Sequence, residues 1–156
     1  MGLKRRWSRF LLNNLWNMKN YSLKDTAEKY LGQTEIKGNM GFMNPDFQRK
    51  MELVGWVPSH AWCVYFAELV WTEAFQGDEK MLKIIKKTFS GSAVKTFFNF
   101  NKVGMISEKP MVGAVALYQK IKNGEETRSG HAGIVVEVHK DYYVTIDGNT
   151  TGGGGR

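Results

Sequence analysis

The sequence predicts a single α+β domain in which helices precede an antiparallel sheet. The chain has 156 residues, of which 42% are hydrophobic and 13% aromatic, so it is long and apolar enough to bury a core. Helix caps and glycines punctuate residues 22–104, whereas short runs rich in β-branched residues follow Pro110. Helices followed by strands are typical of the α+β class.

Residues 1–21 are predicted to form a basic helical segment ahead of a domain spanning residues 22–156. Apolar residues recur near helical spacing among basic ones, and such a helix either packs on the domain or contacts a membrane or cell-wall surface. The apolar positions are Leu3, Trp7, Phe10, Leu11 and Leu15. Two asparagines interrupt the apolar run FLL and no small-residue cleavage site follows, so neither a classical export signal nor a transmembrane segment is predicted.

Five helices are predicted in the first two thirds of the chain. Ser22 and Asp25 resemble a capping box, and Asn44 followed by Pro45 is typical of a helix start. Residues 61–75 are apolar almost all round, so their helix should be central and covered on most sides. The predicted segments are residues 22–32, 44–55, 61–75, 78–89 and 92–104, the last capped by Ser92.

Three strands are predicted in the last third of the chain, where apolar residues alternate over short runs. They are residues 113–118, 131–138 and 143–149, separated by turn-like stretches at residues 122–130 and 139–142. Short connections between successive strands favour an antiparallel meander. The helices are therefore expected to pack on a C-terminal meander.

The chain contains one cysteine, Cys63, at the start of the predicted central helix. A lone cysteine cannot form an internal disulfide or a cysteine-rich zinc site. If Ser59 caps the helix, Cys63 falls in the first turn, where free backbone N–H groups and the helix dipole favour a thiolate nucleophile. The alternative is a small, buried, unreactive side chain.

A nucleophilic cysteine needs a base, and strand alternation points to His131. Pairing position 138 with position 142 would put Gly133 opposite Asp147 and His131 opposite Asn149. His131 and Asp147 would then be diagonal neighbours about 7 Å apart at the backbone, so the carboxylate could orient the imidazole. Gly133, which lacks a side chain, is expected to let the helix of Cys63 approach the sheet.

Three further residues near Cys63 are candidates for contact with a substrate. His60 precedes Cys63 by three residues but has no evident orienting partner, so it is better placed at the rim of a site than as the base. Trp56 and Trp62 could line a groove, although aromatic residues beside a buried helix usually belong to the core.

The motifs AWCVYF, KPMVGAVALY, GHAGIVVEV and TIDGNT, with YLGQTEIKGN upstream, resemble in order and spacing the CHAP (cysteine, histidine-dependent amidohydrolase/peptidase) domains. The resemblance covers roughly residues 25–153 and implies a papain-like fold related to the NlpC peptidases. It matches Cys63 to the nucleophile, His131 to the general base, Asp147 to the acidic member, which is often Glu in relatives, and Asn149 to a nearby polar residue.

The resemblance also implies a substrate class. CHAP domains typically cleave bacterial peptidoglycan, as N-acetylmuramoyl-L-alanine amidases or as endopeptidases of stem peptides and cross-bridges, and many are phage lysins. No metal and no organic cofactor is implied. Such a protein would be cytoplasmic until release, carried in a virion, or delivered by a secretion system.

Other functions remain open on the sequence. The net charge of +7 favours polyanionic partners such as nucleic acid, anionic lipid or cell-wall polymers, yet no helix-turn-helix, zinc or RNA-recognition signature is present. A non-catalytic virion or wall-binding module of the same fold is the main alternative, and a toxin amidase aimed at competitor cells is a variant of the enzyme hypothesis. The sequence does not determine the oligomeric state.

Overall fold

The computed structural model describes residues 4–11 and 20–150, with side chains described from residue 22 onward. Within these ranges the chain forms five helices and seven strands, which confirms the α+β class. The helices are α1 (Asn20–Glu28), α2 (Pro45–Leu53), α3 (Cys63–Ala74), α4 (Glu79–Thr88) and α5 (Ala93–Lys102). The strands are β1 (Lys4–Leu11), β2 (Glu35–Ile36), β3 (Gly41–Phe42), β4 (Ile106–Ser107), β5 (Val115–Lys122), β6 (Glu125–Val138) and β7 (Tyr143–Ile146).

Two predicted helix caps are confirmed. The side chain of Asn44 accepts hydrogen bonds from the backbone N–H groups of Asp46 and Phe47, at 2.9 and 3.3 Å, and so begins α2. The hydroxyl of Ser92 accepts from the N–H of Lys95 at 3.2 Å and begins α5. Each cap satisfies a first-turn donor that has no partner inside the helix.

The predicted capping box of the first helix is wrong. Helix α1 begins at Asn20, so Ser22 is already inside it, and the backbone carbonyl of Ser22 accepts from the hydroxyl of Thr26 at 2.6 Å. A serine that sits within a helix cannot cap it.

The five-stranded sheet has the order β4-β1-β5-β6-β7, with every neighbouring pair antiparallel. Strands β5, β6 and β7 form the predicted meander. Strands β2 and β3 form a separate two-stranded sheet. Helix α3 packs against β6 and is buried along most of its length, as predicted for a central helix.

The N-terminal helix prediction is wrong for Lys4–Leu11, because these residues form β1 between β4 and β5. Eight residues do not separate a helical period from a strand period, and pairing on both sides supplies the backbone hydrogen bonds that a helix would make internally. Residues 20 and 21 are helical as the start of α1, and residues 1–3 and 12–19, including Leu15, lie outside the described residues.

The connection between β5 and β6 is shorter than predicted. Asn123 and Gly124 alone form the turn, with φ values of 53° and 80°, as a two-residue type I′ hairpin turn requires. Lys122 pairs directly with Glu125. Residues 125–130, which were predicted to be part of the turn, therefore extend β6.

Candidate active site

Cys63 is the first residue of α3, and the residue is 7% exposed. The first hydrogen bond within the helix runs from the N–H of Phe66 to the carbonyl of Trp62, at 2.9 Å. The N–H of Cys63 therefore precedes the first donor that the helix itself satisfies. The thiol lies at the positive end of the helix dipole, as the sequence predicted.

The predicted cap of α3 is wrong. Trp62 is the N-cap and makes no side-chain capping hydrogen bond. Ser59 lies in the preceding turn with a φ of 74°, and its N–H donates to the carbonyl of Asn39 at 2.7 Å. The turn that Ser59 forms delays the helix, so Cys63 lies closer to the helix start than a Ser59 cap would place it.

The register of β6 and β7 brings the predicted partners together. Ile134 pairs with Ile146 and Val135 with Thr145, and continuing this register by one residue puts Gly133 opposite Asp147, as predicted.

The predicted pairing of positions 138 and 142 is wrong, because an irregularity between Val135 and Glu137 shifts the register and pairs Val138 with Tyr143. A bulge adds one residue to one strand and changes the pairing beyond it. Alternation along β6 would place Val138 on the same face as the buried Ile134 and Val136, yet Val138 is 41% exposed. The bulge lies on the turn side of the site, so it leaves the pairing at the site unchanged.

The imidazole of His131 and the carboxylate of Asp147 are in direct contact. His131 Nε2 lies 2.8 Å from Asp147 Oδ2, and about a fifth of each side chain is exposed. Burial lowers the pKa of His131, but the hydrogen bond to Asp147, a second one to Cys63 and the charges of both partners outweigh it and raise this pKa to about 9.

His131 therefore stands between the thiol and the carboxylate. Because Nε2 is taken by Asp147, Nδ1 is the ring nitrogen left for Cys63. Neutral His131 with its proton on Nε2 donates to Asp147 and has a free acceptor at Nδ1. This tautomer can accept the thiol proton of Cys63.

Gly133 leaves space beside Asp147. A Cβ atom at Gly133 would lie 2.7 Å from Cγ of Asp147 and 3.0 Å from Cβ of Thr145. The missing side chain therefore makes room for the carboxylate of Asp147, and the predicted approach of the Cys63 helix at Gly133 stays a prediction. Any larger residue would push the carboxylate away from His131.

Asn149 lies beyond Asp147, with a φ of 58°. Its Oδ1 atom is buried and has no hydrogen-bond partner among the described residues, and the same is true of Oδ1 of Asp147. Within that part of the chain, the amide oxygen of Asn149 is therefore not bonded to His131. A share of Asn149 in the acidic role stays a prediction.

The tryptophans predicted as groove candidates belong to the core. Trp56 is 1% exposed and donates its indole N–H to the carbonyl of His60 at 2.9 Å. Trp62 is 7% exposed and donates to Oε2 of Glu35 at 2.6 Å. The ring centroids of both lie 4.9 Å from that of Phe42. Both tryptophans are therefore core residues, and a substrate-lining role for them stays a prediction.

His60 is exposed in the loop before α3, where its N–H donates to the carbonyl of Val57 at 3.2 Å. Its contact with a substrate stays a prediction.

Two residues near the site were missed. Glu35 bonds the indole of Trp62 from 27 residues earlier in the chain, and no local pattern connects these positions. Gly148 lies under the same indole, because a Cβ atom there would be 2.7 Å from Cε3 of Trp62. A glycine directly after Asp147 was the available signal for a close approach.

Within the described residues, no group of three or more His, Cys, Asp or Glu side chains is arranged to hold a metal ion. In the same part of the chain, no helix has the length and apolar character needed to cross a bilayer.

One comparison with known proteins identifies a family. Residues 55–149, more than half of the chain, match the family model described as the CHAP domain. The matched range includes Cys63, His131 and Asp147. No curated protein and no solved structure matches the chain. The family match over most of the domain, with antiparallel strands and helices in the expected places, shows that the chain belongs to the CHAP-domain family.

Proposed function

We propose that this chain is a peptidoglycan hydrolase that cleaves an amide bond through a thiolate mechanism. Cys63 is the nucleophile, His131 the general base and acid, and Asp147 the group that orients His131. CHAP domains are generally cysteine- and histidine-dependent amidohydrolases that act on peptidoglycan. The observation that carries the proposal is the position of His131, which lies 2.8 Å from Asp147 and whose pKa is raised by its interactions with Asp147 and Cys63.

The first step forms a thioester. The thiol of Cys63 gives its proton to Nδ1 of His131, and the sulfur attacks the amide carbonyl carbon, whose π electrons move onto oxygen. The N–H of Cys63, which precedes the first intrahelical donor, can donate to this oxyanion. The C–N bond then breaks, and the imidazolium of His131 protonates the leaving amine.

The second step releases the acid. His131, neutral again, takes a proton from water, and the water oxygen attacks the thioester carbon. The C–S bond breaks, and the sulfur of Cys63 recovers the proton. Throughout, Asp147 accepts the Nε2–H of His131, so it fixes the tautomer and stabilises the imidazolium.

The proposed substrate is the muramoyl–alanine bond or a peptide bond in the stem peptide or cross-bridge. The net charge of +7 suits a cell wall that carries anionic polymers. We extend the proposal to action as a phage lysin. The protein would then be released from the cytoplasm, carried in a virion or delivered by a secretion system. This extension rests on the family resemblance alone.

The test is to incubate the purified protein with peptidoglycan sacculi of several chemotypes and to identify released fragments by mass spectrometry. Cys63→Ala is the matched control, since it removes one sulfur from a site at the helix start. We expect fragments from the wild type alone, and their new termini identify the bond. A folded wild type that binds sacculi but releases nothing from any of them would favour the non-catalytic wall-binding alternative.

A further inference from the structure

Glu35 and Trp62 form a hydrogen bond that links the small β2–β3 sheet to the start of α3. Oε2 of Glu35 accepts from Nε1 of Trp62 at 2.6 Å, a short distance typical of a charged acceptor. Trp62 is 7% exposed, so its N–H has little access to water and needs a protein partner. Glu35 supplies that partner.

Trp62 touches both sides of the candidate site. It is the N-cap of α3 and immediately precedes Cys63. Its ring lies over Gly148, the residue that follows Asp147, because a Cβ atom at Gly148 would be 2.7 Å from Cε3 of Trp62. Trp62 is therefore joined through the backbone to the nucleophile, and its ring packs against the residue that follows the carboxylate.

The ring of Trp62 has few ways to move. It makes edge contacts with Phe42, Phe47 and Phe66, at centroid distances of 4.9, 5.9 and 6.2 Å. These apolar contacts restrain the position of the ring, but they do not determine the direction in which its N–H points. The bond to Glu35 is the polar contact that fixes the rotation of the ring.

We propose that Glu35 is a positioning residue of this site: by fixing the indole of Trp62, it sets the distance between Cys63 and Asp147, the two partners of His131. The inference rests on the proposed function, because it assigns Glu35 to the same thiol, imidazole and carboxylate. The described hydrogen bond of Glu35 is to the indole of Trp62 and not to the thiol, imidazole or carboxylate. Its effect passes through Trp62 to the start of α3 and to Gly148.

The test measures the reactivity of Cys63, not hydrolysis, so it needs no identified substrate. Cys63 is the only cysteine, and the rate of its alkylation by iodoacetamide from pH 5 to pH 10 reports the thiolate that His131 stabilises. The variants are Glu35→Leu, which removes the acceptor, and Glu35→Gln, which keeps an acceptor oxygen. Should Glu35→Leu fail to fold, Glu35→Ala removes the acceptor without adding a bulky apolar group.

Glu73→Leu is the matched control. Oε1 of Glu73 also accepts a side-chain hydrogen bond at 2.6 Å, from the hydroxyl of Tyr30, but near the other end of α3. Both substitutions remove a carboxylate acceptor of equal bond length. Only the bond of Glu35 is made at the end of α3 that carries Cys63.

We expect Glu35→Leu to slow alkylation near neutral pH by about tenfold to a hundredfold, the scale of effect when a reacting group is displaced from a distance. Glu35→Gln should restore most of the rate, and Glu73→Leu should keep the wild-type pH profile. An unchanged profile in Glu35→Leu, or an equal loss in Glu73→Leu, would overturn the inference. If Glu35→Leu slows alkylation but the wild type hydrolyses no peptidoglycan, the proposed function is contradicted and the positioning role of Glu35 is not.

Discussion

His131 on β6 and Asp147, which directly follows β7, meet through Nε2 and Oδ2 at 2.8 Å, although they are not directly opposite in the ladder. Gly133 is the residue opposite Asp147, and its missing side chain leaves the space that the carboxylate fills. The contact is thus a diagonal one across neighbouring strands. It leaves the other ring nitrogen for Cys63, so in the proposed mechanism the carboxylate acts on the thiol through His131.

Replacing Asp147 with Asn should lower kcat/KM by about a hundredfold or more, the usual contribution of an oriented general base. The charge and hydrogen bond of Asp147 help to raise the pKa of His131 to about 9, so the variant should have a lower His131 pKa. The alkaline limb of the pH–rate profile, where His131 loses the proton meant for the leaving amine, should move to lower pH with it. An NMR titration of His131 checks the shift directly, and an unchanged pKa would contradict the assigned role.

The same pKa predicts how stability depends on pH. His131 has a pKa raised from 6.5 to about 9 in the folded chain, so its contribution to stability is full below pH 6.5 and is lost as pH rises through 9. We expect the free energy of unfolding, measured in urea at pH 6 and pH 10, to fall more in the wild type than in His131→Gln. Equal losses in the two proteins would show that His131 is not the titrating group.

Gly133→Ala should reduce activity by displacing the carboxylate of Asp147. The new Cβ would lie 2.7 Å from Cγ of Asp147, closer than two such atoms can approach, so one side chain must move. The matched test repeats the substitution in an Asp147→Ala background, where the clash is absent. The loss of thermal stability caused by Gly133→Ala should be smaller there, and an equal loss would mean that the two residues do not interact.

The contact between His131 and Asp147 could be predicted because it depends on a local rule. Alternation assigns residues to faces of a strand, and a short connection limits the register of a hairpin. The turn end of the same hairpin was mispredicted, because the bulge near Val135 leaves no mark in an apolar run. The predicted partner of Val138 was wrong by one residue, Tyr142 in place of Tyr143. This error did not change the pairing at Asp147, because the bulge lies between Tyr143 and the site.

Contacts between distant segments could not be predicted. Glu35 and Trp62 are 27 residues apart, and the burial of Trp62 depends on aromatic rings from β3 and α2 that only the folded chain brings together. The strand β1 is a similar case, because its conformation depends on pairing with β5, which is distant in sequence. Periodicity within one segment carries no information about either partner.

Glu68 provides a prediction that is independent of catalysis. It lies on α3 and lines a cavity of about 530 Å³ together with apolar residues of α4 such as Leu82 and Ile85. Burial raises the pKa of Glu68 to about 7, because the charged form loses its contact with water. The folded chain therefore favours the neutral acid.

The sign of the effect on stability follows from this shift. An unfolded chain ionises Glu68 near pH 4.5, whereas the folded chain resists ionisation up to about pH 7, so folding is penalised progressively between these values and fully above pH 7. Glu68→Gln, which is neutral at every pH, removes the penalty. Its free energy of unfolding should exceed that of the wild type at pH 8 by up to about 3 kcal/mol, and the two should converge near pH 4.5. Urea titrations at both pH values measure this difference, and a variant that is less stable than the wild type at pH 8 would indicate that ionised Glu68 has a stabilising partner.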